Sequence, residues 1–320
     1  MAIIEAKNLT KQYGDFTAVD GINFKVKEGE ILGFLGPNGA GKTSTINMLT
    51  GLSRITSGNI RIKGVDTGRE MKKVQQLIGV VPGESNLYPE LSGFENLCFC
   101  ASLYGVKKKE REREAERLLE EFGLSDFADK PFGIYSKGMR RRLTIAAGII
   151  HKPGILFLDE PTTGIDVASA RQIRQLLIDL NRKGMSIFLT THYIEEAERL
   201  CDRIAFIVKG KIKHIDRIDR LLDNTRKGSI LEFLTEREGP ENRDRLNAAL
   251  SDYRVELSGN RIRIYTEEQI GLKDLIDIFY QQGCNIYEAR LLRPSLEDVF
   301  VEITGIEAAE MKKDKENGGR

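Results

Sequence analysis

Cysteine and histidine are scarce in this 320-residue sequence. Its four cysteines (Cys98, Cys100, Cys201, Cys284) form no CxxC pair and are too few for a disulfide framework. They predict reduced, mostly buried thiols. The three histidines, His151, His192 and His214, lie far apart, which excludes a histidine-rich metal site. No stretch approaches about eighteen uninterrupted apolar residues, so nothing reads as a bilayer span. The amino terminus alternates polar and apolar residues and lacks the apolar core of a signal peptide. Any membrane role is therefore expected to come through a partner. Excess charge of one sign is also missing. Lys and Arg total 49 against 48 Asp and Glu, a net charge of +1, which provides no global field to draw in nucleic acid or an anionic bilayer.

What the sequence does contain is enough apolar material for a sizeable core. Apolar residues make up 40% and charged residues 30%, which excludes disorder of the whole chain. The length suits two domains of unequal size. Ile22, Phe24 and Val26 alternate with Asn23, Lys25 and Lys27, the period of a strand with one face in water. The segment 30–35 is mostly apolar and reads as a strand buried on both faces. A glycine-rich turn over 36–41 and a helix over 42–52 follow, then an alternating strand over 59–63. Two more buried strands, 155–158 and 186–189, flank a helical pattern over 170–183. Apolar strands alternating with helices imply a parallel sheet covered on both faces, with chemistry at the carboxyl ends of its strands. The mixed charges of 107–121 read as a solvated helix face rather than a nucleic-acid patch.

Composition shifts after Asp223. Strands over 229–235, 254–257, 261–265 and 286–292, with helices over 241–250 and 272–282, give the order βαββαβ of a small ferredoxin-like domain. Pro294 stops the sheet and Ser295 caps a short helix over 296–303. The charged tail from 305 reads as disordered. Glu267, Glu268, Arg261 and Arg263 read as exposed strand and turn charges, so this domain offers no catalytic constellation. Dimer stabilisation or regulation is the role considered for it.

Gly36-Pro37-Asn38-Gly39-Ala40-Gly41-Lys42-Thr43 matches G-x-x-x-x-G-K-[ST]. Its glycines let successive backbone N–H groups curl around phosphates without a Cβ clash, and the following helix points its positive end at them. Lys42 adds a mobile cation, and the Thr43 hydroxyl is placed to ligate Mg²⁺. Ser44 follows in the same helix turn and completes the nucleotide-binding set. Leu158-Asp159-Glu160 ends an apolar strand and leads two carboxylates out of the core. Asp159 is expected to hold Mg²⁺ and Glu160 to orient and polarise the attacking water.

Together these residues resemble the nucleotide-binding subunit of an ATP-binding-cassette (ABC) transporter, over about 1–219. The resemblance implies a P-loop α/β fold: a parallel-sheet core, an antiparallel β subdomain and a helical subdomain over about 87–150. It places the whole cassette at 1–222, the ferredoxin-like domain at 223–304 and the tail at 305–320. It implies that Tyr13 stacks on adenine. Tyr135-Ser136-Lys137-Gly138-Met139 stands where the family carries LSGGQ, so Ser136 and Gly138 are expected to grip the γ-phosphate of ATP held by another subunit. Arg140, Arg141 and Arg142 follow as a family feature rather than a basic patch. Asp166 matches the loop that crosses the dimer seam, and His192 the switch histidine that contacts the γ-phosphate.

One position departs from the family. Gly83, followed by Glu84, stands where a glutamine senses Mg²⁺ and couples the ATPase to the membrane partner. Either Glu84 substitutes with a shifted reach or the coupling differs. The YSKGM–RRRL run and the carboxyl-terminal domain look like ATPases of ABC-2-type exporters, nearest the daunorubicin-resistance-like efflux group. The implied partners are ATP, Mg²⁺, a second copy of the chain and a transmembrane permease touched by 87–96; no nucleic acid is implied. The implied location is cytoplasmic, on the inner face of the membrane. The rival readings are a soluble ABC-type ATPase without a permease and a P-loop small-molecule kinase.

Overall fold

The computed structural model describes residues 2–224, 230–236, 246, 248–266, 272–292 and 295–306. The chain divides into two compact units, the first comprising Met1–Arg217 with the residues from Ile303 on, the second Ile218–Glu302. The sequence pattern put this break at 222/223. It falls earlier because the strand Lys211–Arg217 still pairs within the first sheet system and a new helix, Ile218–Asn224, begins directly after it.

The first unit carries two sheets. An antiparallel sheet has the order β2-β1-β4-β5, from β1 (Ala2–Tyr13), β2 (Phe16–Lys27), β4 (Ser57–Ile62) and β5 (Val65–Asp66). In β2 the buried Ile22, Phe24 and Val26 alternate with exposed neighbours, as a one-sided strand requires. The second sheet has the order β10-β9-β3-β8-β7-β6. It is built from β3 (Ile31–Leu35), β6 (Ile78–Val81), β7 (Ile155–Asp159), β8 (Ser186–Thr191), β9 (Arg203–Val208) and β10 (Lys211–Arg217). Every neighbouring pair is parallel except β9 with β10. Strands β3 and β8 are buried along their whole length, which accounts for the apolar run of β3 and the apolar centre, Ile187 to Leu189, of β8.

The two sheets share a core. Phe24 of the antiparallel sheet meets Phe34 at 5.0 Å between ring centroids, Phe34 meets Phe188 at 4.7 Å, and Phe188 meets Phe157 at 5.6 Å. Burying each such ring contributes about 3 kcal/mol at most, so this chain of four rings is a major tie between the sheets.

Helix α1 (Lys42–Leu49) ends before the expected residue 52, because Gly51 adopts φ +78° just after its cap and turns the chain away. Next come α2 (Thr67–Gln75), then α3 (Gly93–Leu103) and α4 (Lys108–Glu121). Ser92 and Glu95 form a complete capping box at the start of α3. Helix α5 (Lys137–Ile149) is capped by Ser136, and α6 (Val167–Arg182) starts ahead of its expected beginning because Asp166 caps it. Helix α7 (Ile194–Leu200) leads into β9. The solvated reading of the charged run fails at one residue of α4. Glu114 is 6% exposed, with its carboxylate held by Arg117 and Lys152.

The second unit has a four-stranded antiparallel sheet of order β12-β13-β11-β14, from β11 (Ile230–Thr235), β12 (Arg254–Ser258), β13 (Arg261–Tyr265) and β14 (Ile286–Leu292). This is the strand order of a split βαβ fold. Leu231, Phe233, Ile262 and Ile264 form its core with Leu275 and Phe279 of the helix Leu272–Gln281. Arg263 and Arg261 are not simply solvated: both face the buried carboxylate of Glu232, at 2.9 and 3.8 Å. A final helix runs Leu296–Thr304. Ser229, most of the helix expected over 241–250, Glu267, Glu268, Pro294 and the tail beyond 306 lie outside the described residues.

Candidate nucleotide site

The strand order sets β3, β8 and β7 side by side, so the segments leaving their carboxyl ends converge. The first is the 36–43 loop. Gly36 is required by packing, since a Cβ there would stand 2.1 Å from the Ile207 carbonyl oxygen. Gly41 is required by conformation as well: it has φ +100°, and a Cβ would meet the Ala18 carbonyl at 2.4 Å. The loop closes on itself through Ala40 N–H to the Pro37 carbonyl. Pro37 and Asn38 are half-buried, Gly39 is exposed and Ala40 is buried.

Lys42 reaches back under this loop. Its Nζ donates to the carbonyls of Gly36 at 2.8 Å and Pro37 at 3.0 Å, and lies 3.8 Å from Glu160 Oε1. Burial lowers its pKa, against the opposing pull of Glu160 and Asp159. Thr43 Oγ1 donates to Asp159 Oδ2 at 2.9 Å, and the Thr190 hydroxyl donates to Asp159 Oδ1. The two residues expected to hold Mg²⁺ thus meet in one hydrogen bond. Thr190, which orients the other carboxylate oxygen, left no signal in the sequence beyond its place at a strand end.

Glu160 leaves the sheet with φ +46°, a left-handed conformation that carries strain of about 1–3 kcal/mol in a non-glycine residue. Its N–H is held by the Thr190 carbonyl at 3.1 Å. Its carboxylate accepts from Thr163 Oγ1 at 3.0 Å and lies 3.0 Å from His192 Nδ1. Burial alone raises the Glu160 pKa, but His192, Lys42 and Thr163 outweigh it and hold the group down at about 2. Lys42, Thr43, Asp159, Glu160 and His192 therefore share one cluster.

The remaining expected residues sit apart from that cluster. Tyr13 is half-exposed with Lys11 Nζ 4.6 Å from its ring centroid; a hydrogen bond with Ser53 lowers its pKa, with Ser44 adding to the effect. Ser136 Oγ accepts from Met139 N–H at 3.2 Å as an N-cap, which leaves the hydroxyl proton to donate elsewhere. Gly138 is buried against its own chain, where a Cβ would stand 2.4 Å from Ser169 Oγ. Its close neighbour within the chain is thus the start of α6. Asp166 Oδ1 accepts from Ser169 N–H at 2.9 Å, and that backbone hydrogen bond lowers its pKa.

The three arginines of α5 are braces rather than a basic patch. Arg140 donates to the Gly133 carbonyl, Arg142 to Phe122 at 2.7 Å, and Arg141 to carbonyls beside the cluster. Gly83 is exposed, and a Cβ there would lie 3.7 Å from the Asp159 carbonyl and 4.0 Å from its Oδ2. A side chain at 83 would thus face Asp159, whereas Glu84 is exposed.

Two oxygen ligands converging at Asp159 and Thr43 suit a hard cation that keeps waters and phosphates as its other ligands, as Mg²⁺ does. A cradle of glycine backbone, one buried ammonium and an acidic pair suits a nucleoside triphosphate.

Comparison with known proteins agrees with this geometry. A sequence profile of the ABC transporter family matches residues 19–163. The linearmycin resistance ATP-binding protein of Bacillus subtilis is 45% identical over 210 residues, covering 66% of this chain and 68% of that one. The daunorubicin resistance ATP-binding protein of Streptomyces coeruleorubidus is 34% identical, covering 94% of this chain and 95% of that one. Among solved structures, a dimeric bacterial ABC transporter cassette superposes with a TM-score of 0.62 at 30% identity, covering 67% of this chain and 98% of that one. The kinase alternative falls with these matches. The chain belongs to the ATP-binding proteins of ABC transporters, and its activity is ATP hydrolysis coupled to transport.

Proposed function

We propose that this protein powers export by a separate membrane permease, with two copies closing head to tail over two ATP molecules. The observation that carries the reading is the convergence of Lys42, Thr43, Asp159, Glu160 and His192 at the ends of three adjacent strands. In this reading the loop 36–43 and Ser44 cradle the phosphates and Tyr13 faces the adenine. Asp159 and Thr43 would hold Mg²⁺, which neutralises charge on the phosphates when bound. Glu160 accepts the proton of the attacking water and His192 faces the γ-phosphate.

Lys42 and His192 both contact Glu160 Oε1, so an entering phosphate competes with Glu160 for the same two groups. Ser136 and Gly138, at the start of α5, complete the pocket of the opposite copy, with Asp166 at the seam. Nucleotide is then the adhesive, and loss of the γ-phosphate releases the two copies.

The first unit offers the permease an apolar surface. Tyr88 and Phe99 are exposed and meet edge to face at 5.2 Å, with exposed Leu103 on the same helix as Phe99. Tyr88 lies within the segment 87–96 expected to touch a membrane partner and Phe99 and Leu103 follow it, which supports a location on the inner face of the membrane through that partner. Among the described residues no helix is long and apolar enough to cross a membrane. The resistance relatives make an amphiphilic, drug-like cargo the preferred class.

The test is Glu160→Gln in the full chain, alone and with its permease. The variant should bind Mg-ATP and run as a dimer on sizing. A monomer under saturating Mg-ATP in both settings contradicts the mechanism.

A further inference from the structure

Arg141 is a buried charged group of this region that the ATP-site reading does not use. Its side chain is 6% exposed, inside α5, five positions after Ser136. Nε donates to the Pro161 carbonyl at 2.9 Å and Nη2 to the Asp159 carbonyl at 2.7 Å. Nη1 donates to the Pro82 carbonyl and, at 3.4 Å, to that of Gly83. One guanidinium therefore ties three pieces of chain together: the helix opened by Ser136, the turn after β7 and the exit of β6.

Burial lowers the Arg141 pKa to about 10, so the group is cationic at neutral pH, within the field of Asp159, Glu196 and Glu160. Its hydrogen bonds all run to main-chain carbonyls, an arrangement that fixes backbone positions instead of neutralising a single acid. The strained turn at Glu160 lies between two of those carbonyls, Asp159 and Pro161. On the other side, Gly83 has no side chain to offer although its Cβ direction faces Asp159. The job of joining the β6 exit to the Asp159 turn thus falls on Arg141.

We propose that Arg141 is a positioning residue for ATP hydrolysis, holding the 159–161 turn and the 82–83 exit at a fixed distance from the Ser136 helix. It acts through Glu160, whose carboxylate must point at His192 and Lys42. The same link carries displacement between the half-site built on α5 and the chain's own acidic pair. This inference rests on the ATP-site reading given above.

The test uses the full chain with Mg-ATP. Arg141→Gln should lower kcat about tenfold or more, the effect of losing hydrogen bonds from a charged group, with KM and nucleotide affinity changed less than about twofold. Hydrogen exchange should quicken over 82–86 and 159–163 while the strands of both sheets keep their protection. Arg141→Lys keeps the charge but lacks the planar fork that reaches all four carbonyls, and should lie between Gln and the native protein. If Arg141→Gln does not fold, Arg141→Lys decides: reduced kcat at constant KM supports the proposal. Unchanged kcat, or an equal loss of protection throughout the first unit, overturns it. Lys42→Ala and Glu160→Gln serve as controls. If they too leave turnover intact, the ATP-site reading has failed; if they abolish it while Arg141→Gln does not, only the role of Arg141 falls.

Discussion

His192 Nδ1 and Glu160 Oε1 lie 3.0 Å apart, joining the end of β8 to the end of β7 at the carboxyl edge of the sheet. Glu160 stands in a left-handed turn, so its side-chain direction depends on such contacts. Removing the imidazole as His192→Ala leaves the carboxylate held only by Thr163 and, at 3.8 Å, by Lys42. Turnover should drop about a hundredfold, in the range seen when one group acting on a transition state is removed. ATP affinity should move by only a few-fold, because the loop 36–43 and Lys42 are untouched. Phosphate release and titration with a fluorescent nucleotide measure the two effects separately.

Gly36 and Gly39 separate two reasons for glycine in a phosphate loop. At Gly36 a methyl group collides with the Ile207 carbonyl, whereas at Gly39, with φ +75°, nothing lies within 4 Å. Gly36→Ala should therefore cost about 1–3 kcal/mol through forced movement of β9. Gly39→Ala should cost about 1 kcal/mol through backbone strain alone. At about 2–4 °C per kcal/mol for a unit of this size, thermal melting resolves the two variants.

Ser136 has one duty visible in the structure and one proposed, and a pair of substitutions can part them. As N-cap of α5 it needs only an oxygen acceptor for Met139 N–H. As half of a phosphate pocket it needs a hydroxyl donor and no negative charge. Ser136→Ala loses both, costing about 1 kcal/mol of stability along with turnover. Ser136→Asp keeps the cap, so its melting temperature should stay near that of the native protein while ATP turnover falls about tenfold or more. Equal turnover in Ser136→Asp and the native chain contradicts the pocket role.

Much of this site was legible because its residues obey local rules. The loop 36–43 announces itself through the fixed spacing of its glycines, lysine and threonine, and Asp159-Glu160 through the apolar strand that delivers it. Strand alternation in β2 and the continuous burial of β3 and β8 follow directly from which faces they cover. What escaped is set by partners distant in sequence. Thr190 is recognisable as a ligand of Asp159 only once β8 lies beside β7. Arg141 looks like the middle of a surface run until its carbonyl partners, at 82, 83, 159 and 161, are brought together. Glu114 likewise carries the periodicity of a solvated helix. Only the packing of α4 beside Lys152 reveals it as buried.

That buried carboxylate gives a prediction with a defined pH dependence. Glu114 Oε1 accepts from Arg117 Nε at 3.0 Å and Nη2 at 2.6 Å, and Oε2 lies 3.3 Å from Lys152 Nζ. Burial pushes the Glu114 pKa up, but Arg117 and Lys152 outweigh it and leave the group below its ordinary 4.5. A carboxyl group whose folded pKa is depressed contributes stability above its unfolded pKa and loses it as pH falls through the folded value. Glu121 is also held low, by Lys183 and Arg117 against its burial, and it lines one cleft with Glu114, Glu110 and Arg113. Glu114→Gln should therefore be less stable than the native protein at pH 7, by about 1 kcal/mol, since Arg117 and Lys152 are themselves largely exposed to screening solvent. The difference should shrink below pH 4.5, as the native carboxylate takes up its proton, and about 0.5 M salt should reduce it at pH 7. Melting both proteins across this pH range checks the sign. A gap that stays constant from pH 7 down to strong acid assigns the cost to packing rather than to the ion pairs of α4.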